Sequence, residues 1–94
     1  MLEVALPEQE TTERVDDGAS HAWKVILYND DYHLFEAVVA QVQKATGYPY
    51  ARAWAITYEA HTRGHALVWA GAIDECLRVE GVLREIGLRT DIVA

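Results

Sequence analysis

The sequence predicts an α+β fold in which three helices cover one face of a three-stranded sheet. Apolar residues recur with strand and helix periods in the order strand, helix, helix, strand, helix, strand. A glycine follows each of the three helical segments, where a left-handed residue commonly ends a helix. Because three strands make only one small sheet, the helices have to share its apolar face. The result is a two-layer β-α-α-β-α-β sandwich.

The composition indicates a single globular domain and excludes several classes of protein. The chain has 94 residues, of which 51% are hydrophobic, enough for one modest core. The single cysteine, Cys76, excludes an intramolecular disulfide and leaves no cysteine pair for zinc. The net charge of −7 disfavours nucleic acid, and no apolar run approaches the length of a membrane span. We therefore expect a cytoplasmic monomer with no cofactor, metal, nucleic-acid partner or membrane partner.

Most of the negative charge lies at the start of the chain. Residues 1–20 hold six acids and one base, a net charge of −5, whereas the other 74 residues hold nine acids and seven bases, a net charge of −2. Residues 1–21 show no sustained strand or helix period. We predict a flexible acidic extension over 1–21 and a folded domain over 22–94. The extension is either a solubilising tail or a handle that another protein grips.

The first predicted strand and helix flank a polar turn. Residues 23–28 are rich in β-forming residues and predict the strand. The Asn-Asp-Asp sequence at 29–31 then indicates a turn. Apolar positions over 34–46 follow one face of a helix, which Gly47 ends.

A second helix and strand follow, and then a third pair. Helix periodicity begins at Tyr50 and continues until Gly64, and the apolar run 65–70 indicates a buried strand. Apolar positions over 73–86 predict the third helix, and alternation over 88–93 predicts a half-exposed final strand.

The turn formed by Asn29, Asp30 and Asp31 is the strongest candidate for chemistry. Its side chains offer several acceptors and up to two negative charges, which suits a metal, an ammonium group or the amino terminus of a chain. The same residue types are also what turns and helix starts prefer. From these three residues alone, both interpretations stay open.

Other candidate sites are weak. His61 and His65 are four residues apart, as in a helical metal pair, but Gly64 lies between them and the metalloprotease pattern is absent. Cys76 falls on the apolar stripe of a helix, where a structural thiol is expected. The sequence therefore gives poor support to catalysis.

Several motifs together resemble the ClpS family. They are Lys24-Val25-Ile26-Leu27-Tyr28-Asn29-Asp30-Asp31-Tyr32, then Glu36, Val38, Gln43-Lys44, Gly47-Tyr48, Arg52-Ala53 and His61-x-x-Gly64-x-Ala66. The resemblance covers residues 22–70 without a gap, and the third helix and last strand more loosely. Members of this family are non-enzymatic adaptors that carry N-end-rule substrates to a Clp-type AAA+ unfoldase. Their fold has the element order predicted here and is similar to the C-terminal domain of the ribosomal stalk protein.

The resemblance implies a site for the free amino-terminal residue of a substrate, an N-degron. By matching position, Asn29, Asp30 and His61 receive the α-amino group. Asp31 is a second carboxylate nearby. The protonated amine has three donors and a charge, and an amide oxygen, a carboxylate and a neutral imidazole can all accept from it. An internal peptide N–H has neither the charge nor the donors, so such a site would select a chain end.

The resemblance also implies an apolar pocket for the first side chain. The matching positions are Leu27, Tyr28, His33, Phe35, Val38, Thr57, Ala60 and Leu88. His33 stands where the family has a threonine, and Ala60 where it has a valine. Phe35 and Thr57 each stand where the family has a methionine. We predict a widened pocket with an aromatic wall, and polar atoms of His33 and Thr57 at its rim. The expected ligands are Phe, Tyr, Trp and Leu, with the aromatics preferred.

The implied partners are an N-degron-bearing protein or peptide and a Clp AAA+ unfoldase of the ClpA or ClpC class. The resemblance implies that the unfoldase engages the acidic extension, and Asp74, Glu75 and Arg78 are candidates for docking. Two alternatives from other classes remain. One is a small interaction domain of the same fold that binds a different peptide end or an internal loop. The other is a hydrolase in which Asp30 and His61 act as base and acid.

Overall fold

The structure is a computed structural model that describes residues 22–94. The predicted extension over residues 1–21 lies outside the described residues. The elements in chain order are β1 (Trp23–Tyr28), α1 (Phe35–Thr46), α2 (Tyr50–Arg63), β2 (His65–Gly71), α3 (Ile73–Leu83), a 3₁₀ turn (Arg84–Ile86) and β3 (Thr90–Val93). The predicted fold class and element order are confirmed.

β1 is the central strand of a fully antiparallel sheet with the order β2-β1-β3. Its last residue, Tyr28, pairs with His65 of β2, and its neighbour Leu27 pairs with Thr90 of β3. A register shift between Val25 and Ile26 interrupts the pairing with β2. Because β1 is flanked on both sides, the turn that follows it emerges between the first residues of β2 and β3.

The helices pack on one face of this sheet. α1 contacts both α2 and α3, α2 contacts β2, and α3 contacts all three strands. The core consists of small and branched apolar side chains from every main element: Val25, Leu27, Val38, Val39, Val42, Ala45, Ala53, Ile56, Ala60, Ala66, Val68, Cys76, Val79, Leu83 and Leu88. Cys76 is fully buried, and that burial raises the pKa of its thiol. This placement agrees with a structural role.

Two details of the second half of the chain differ from the sequence prediction. The third helix is α-helical only to Leu83 and tightens into the 3₁₀ turn before Gly87, whose φ of 79° ends it. The last strand begins at Thr90 rather than at residue 88. Both differences have one cause: Leu88 turns inward and is buried, so the chain has to turn sharply before it can join the sheet.

The second helix also differs in how it uses its apolar residues. The helix period in the sequence includes Trp54 and Tyr58, but both rings lie on the exposed side of α2, stacked with centroids 5.1 Å apart. The buried side is made of smaller residues, among them Ala53, Thr57 and Ala60. Periodicity identifies the helix but does not say which of two neighbouring stripes faces the core.

Within residues 22–94, no helix combines the length and the apolar character needed to cross a bilayer. The same part of the chain contains no group of three or more His, Cys, Asp or Glu side chains arranged to hold a metal ion.

Candidate functional site

A cavity of about 260 Å³ opens where β1 ends. It is lined by Leu27, Tyr28, Asn29, Asp30, Asp31, His33, Phe35, Val38, Thr57, Ala60, His61 and Leu88. These are the twelve residues that the family resemblance implies for the amine site and the side-chain pocket. They come from five segments: β1, the turn after it, α1, α2 and the residues just before β3.

The lining residues form a buried inner end, the floor, and a more exposed outer end, the mouth. Five of its lining residues are buried in the core: Leu27, Val38, Thr57, Ala60 and Leu88. The residues of the turn are only partly buried or exposed, and His61 is exposed at the end of α2. An apolar group can therefore be buried at the floor while a polar group stays at the mouth, near acceptors and water.

Asp30 is held in place by three hydrogen bonds. Its Oδ1 accepts from the backbone N–H groups of Tyr32 (2.9 Å) and His33 (3.0 Å), and its Oδ2 lies 2.8 Å from Nδ1 of His33. Burial raises the pKa of Asp30, but these hydrogen bonds outweigh it and hold the pKa below the ordinary 3.8. The carboxylate is thus ionised at neutral pH. Three of its roughly four acceptor positions are taken, which leaves one for a ligand.

Both ring nitrogens of His33 are engaged as well. Nδ1 contacts the Asp30 carboxylate, and Nε2 is hydrogen-bonded to the backbone carbonyl of Ile86 in the 3₁₀ turn. The carbonyl of Ile86 and then the carboxylate of Asp30 raise the pKa of His33 above the ordinary 6.5. The expectation that His33 brings a free polar atom to the rim is therefore wrong, since neither nitrogen is available to a ligand.

The structure explains why the Asn-Asp-Asp turn and the His-x-x-Gly motif occur together. The backbone N–H of Asn29 donates to the carbonyl oxygen of Gly64 at 3.0 Å. Gly64 ends α2 with a φ of 92°, a conformation that strongly favours glycine, and its own N–H donates to Ala60. His61 lies in the last turn of the same helix. Ending α2 beside the turn thus brings His61 to the same cavity as Asn29 and Asp30.

Phe35 forms a wall whose ring is fixed from two sides. Trp54 meets it with centroids 5.4 Å apart at an interplanar angle of 61°, and His61 meets it at 6.3 Å and 90°. Both are edge-to-face arrangements of the kind that favours aromatic pairs. Phe35 therefore places an aromatic ring in the cavity wall, between the exposed Trp54 and His61.

Thr57 and Ala60 lie on the buried side of α2, three residues apart, as predicted. The hydroxyl of Thr57 donates to the carbonyl of Ala53 at 2.8 Å, and the residue is 4% exposed. The prediction that Thr57 places a polar atom at the rim needs correction, because the residue belongs to the floor and its proton is already used. Its oxygen keeps the capacity to accept one hydrogen bond.

The three residues suggested for docking do not line the cavity. Asp74, Glu75 and Arg78 are exposed on α3. Glu75 accepts a hydrogen bond from the indole of Trp69 at 3.2 Å, and Arg78 donates to the carbonyl of Ala45 at 3.3 Å. Two of the three side chains therefore have partners within the chain.

Some contributors to the site carry no signal in the sequence. The carbonyl groups of Ile86 and Gly64 position His33 and Asn29, but a backbone carbonyl acts through its location and not through residue type. Trp54 supports Phe35 from the helix, and only its spacing from His61, seven residues or two turns, could have placed both on one side of α2.

Residues 19–88 match the family described as ATP-dependent Clp protease adaptor protein ClpS. The ClpS of Thermosynechococcus vestitus is 34% identical over 67 residues, which cover 70% of this chain and 71% of that protein. The ClpS of Rhodococcus opacus is 31% identical over 80 residues, which cover 85% and 69%. The chain belongs to the ClpS family of Clp protease adaptors, whose members are adaptors rather than catalysts.

A solved structure supports the fold independently. Agrobacterium tumefaciens ClpS2 bound to L-phenylalaninamide superposes with a TM-score of 0.68. The similarity covers 76% of this chain and 95% of that one, at 22% sequence identity. The two proteins share the same arrangement of sheet and helices.

Proposed function

We propose that this protein binds the free amino-terminal residue of N-degron substrates whose first side chain is Phe, Tyr, Trp or Leu. It then delivers them to a Clp AAA+ unfoldase of the ClpA or ClpC class. The observation that carries the proposal is a single cavity with a buried apolar floor and hydrogen-bond acceptors at its mouth. A first residue has the matching pair of features, an apolar side chain next to a charged amine.

The mouth suits an α-ammonium group. Asn29 offers an amide oxygen, Asp30 the remaining acceptor position of an ionised carboxylate, and His61 an imidazole nitrogen. Asp31 adds a second negative charge at the same rim. Hydrogen bonds to charged groups are worth about 1.5–3 kcal/mol each, so losing the charge of the ligand would cost more than losing one ordinary contact.

The floor suits one large apolar side chain. Pockets that bind drug-sized molecules occupy about 300–1,000 Å³, so 260 Å³ fits a single residue better than an extended peptide. The edge of the Phe35 wall favours an aromatic ligand by about 0.5–1.5 kcal/mol beyond its burial. Ile and Val should bind weakly, because branching next to the amine crowds the bonds to Asn29 and His61. The ligand in the ClpS2 structure supports the preference for an aromatic first residue, since L-phenylalaninamide combines a free amine with an aromatic side chain.

Delivery would use other parts of the chain. We propose that the unfoldase engages the acidic segment of residues 1–21 and that Asp74, Glu75 and Arg78 contribute to docking. Support comes from family membership and from the separation of these α3 residues from the cavity, which lets both partners bind at once.

The test is a degradation assay with a purified ClpA- or ClpC-class unfoldase and its peptidase. Two reporters are compared that differ only in a first residue of Phe or Gly, each with and without this protein. We expect faster degradation of the Phe reporter and no change for the Gly reporter. Equal rates for the Phe reporter with and without the protein would contradict the adaptor function. Cleavage of a peptide by this protein alone would favour the hydrolase alternative.

A further inference from the structure

We propose that protonated His33 is a positioning residue that joins the amine end of the cavity to its floor. The inference rests on the proposed function and adds a residue that acts through Asp30 and Leu88 rather than on the ligand.

The geometry requires His33 to donate from both nitrogens. The carbonyl oxygen of Ile86 can only accept, so Nε2 has to be the donor of that bond. The ionised carboxylate of Asp30 can also only accept, so Nδ1 donates to Oδ2 across 2.8 Å. An imidazole that donates twice carries two protons and a positive charge. A proton on Asp30 instead would weaken the two backbone bonds that its Oδ1 accepts, so the proton belongs on His33.

The two bonds connect segments that are far apart in sequence. Asp30 follows β1, whereas Ile86 lies 53 residues after His33, at the end of the 3₁₀ turn. Gly87 then turns the chain with a φ of 79°, and Leu88 enters the floor of the cavity. One side chain therefore fixes both the carboxylate that faces the amine and the backbone that carries a floor residue.

The charged groups around His33 make Asp30 its main electrostatic partner. Asp31 and His61 line the same cavity, on the turn and on α2. Glu85 precedes Ile86, but its carboxylate is bound to Lys44 at 2.8 Å and accepts from Gln41 as well. Within the described part of the chain, Asp30 is the acid that contacts His33.

The consequence is a dependence of ligand binding on the protonation of His33. Because the pKa of His33 is raised in the folded protein, the two bonds contribute fully below the ordinary value of about 6.5. One of the two is lost as the pH rises through the raised value. A neutral ring can donate only once, so one nitrogen would then face an oxygen lone pair.

The test compares the wild type with His33→Asn and His33→Gln. The amide nitrogen of Asn reaches about as far as Nδ1 and can keep the bond to Asp30, whereas that of Gln reaches about as far as Nε2 and can keep the bond to Ile86. Neither side chain titrates. Affinity for one peptide with a free amino-terminal Phe is measured from about pH 6 to pH 9. Titration of the peptide amine is common to all three proteins and cancels in their ratios.

We expect each variant to bind about tenfold more weakly than the wild type at pH 6, with this ratio shrinking towards one at pH 9. A ratio that stays constant with pH, or a variant that matches the wild type at pH 6, would overturn the proposal. An unchanged amide NMR spectrum away from the cavity establishes that the variants fold.

A second readout does not depend on peptide binding. The ¹⁵N chemical shifts of the His33 ring in the wild type should report two protonated nitrogens at pH 7, and a single neutral tautomer would overturn the proposal. If the wild type binds no free-amine peptide at all, the proposed function fails, and these shifts still decide the state of His33.

Discussion

The two ends of the cavity are built on different physical principles. At the mouth, Asp30 and His33 are fixed by discrete hydrogen bonds that leave few free acceptors. At the floor, Val38, Thr57 and Ala60 are fixed by packing against the core. A hydrogen bond to a charge is either made or lost, whereas a packed wall can yield by tenths of an ångström. The comparison indicates that recognition of the amine should be all-or-none and that the preference for side chains should be graded.

The largest expected effect is at the mouth. Asp30→Ala should reduce affinity for a free-amine Phe peptide below the measurable range, by at least about a hundredfold, because it removes a charged acceptor. Asp30→Asn is the matched variant, since its amide oxygen can still accept from the backbone of Tyr32 and His33 while the charge is gone. Both affinities are measured by isothermal titration calorimetry.

Thermal unfolding of the two Asp30 variants provides the control. Melting temperatures close to that of the wild type would assign the loss of affinity to the site. Wild-type affinity in Asp30→Asn would show that charge at Asp30 is not what reads the amine.

His61 should give a loss of affinity of the same kind. We expect His61→Ala to abolish measurable binding, because the imidazole is an exposed acceptor whose removal leaves the core unchanged. The measurement is fluorescence anisotropy of a labelled peptide.

His65→Ala is the matched control for His61. His65 is also exposed but is the first residue of β2 and does not line the cavity. Its substitution should leave affinity unchanged. Wild-type affinity in His61→Ala would remove His61 from the role of acceptor.

Changes at the floor should produce smaller effects that depend on the ligand. In the wild type we expect Phe, Tyr and Trp to bind more tightly than Leu. Thr57→Met should narrow the cavity and raise the affinity for Leu relative to Trp by about fivefold or more, because overpacking a buried site costs about 1–3 kcal/mol. A series of peptides that differ only in the first residue measures both effects.

Ala55→Met adds similar volume to the same helix at an exposed position and should change neither affinity. If Leu binds distinctly more tightly than all three aromatics in the wild type, the argument that Thr57 and Ala60 widen the cavity is wrong.

Removal of the acidic segment should affect neither end of the cavity. We expect the variant lacking residues 1–20 to bind a Phe peptide with an affinity within about twofold of the wild type, since all the lining residues lie between 27 and 88. Degradation of a Phe reporter by the unfoldase should nevertheless be impaired. Unimpaired degradation would reduce the segment to a solubilising tail.

The mouth and the floor also differ in how far the sequence could predict them. The spacing of apolar residues and the glycines that end helices predict the fold, because each signal lies within one segment of the chain. Gly64, for example, ends α2 where the sequence indicates. The family resemblance adds the twelve cavity residues by matching position. Neither source could reveal that His33 bonds to the carbonyl of Ile86, because that bond joins segments 53 residues apart and one partner is backbone.

The floor shows a second limit of sequence reasoning. The sequence predicts a polar atom of Thr57 at the rim, yet its hydroxyl donates to Ala53 one turn earlier. Trp54 and Tyr58 share the helix period of the buried residues and are nevertheless exposed. Residue type and spacing suggest which side chains can meet, but tertiary packing decides which of them do.

The most direct test of the account is a set of four peptides, with a first residue of Phe or Ala and with a free or acetylated amine. Affinity of the wild type for each peptide is measured in one buffer at neutral pH. We predict the tightest binding for free-amine Phe, with acetylation costing at least about a hundredfold and Phe→Ala a smaller factor. Binding of the acetylated Phe peptide within about threefold of the free one would contradict the claim that the mouth of this cavity reads an amino terminus.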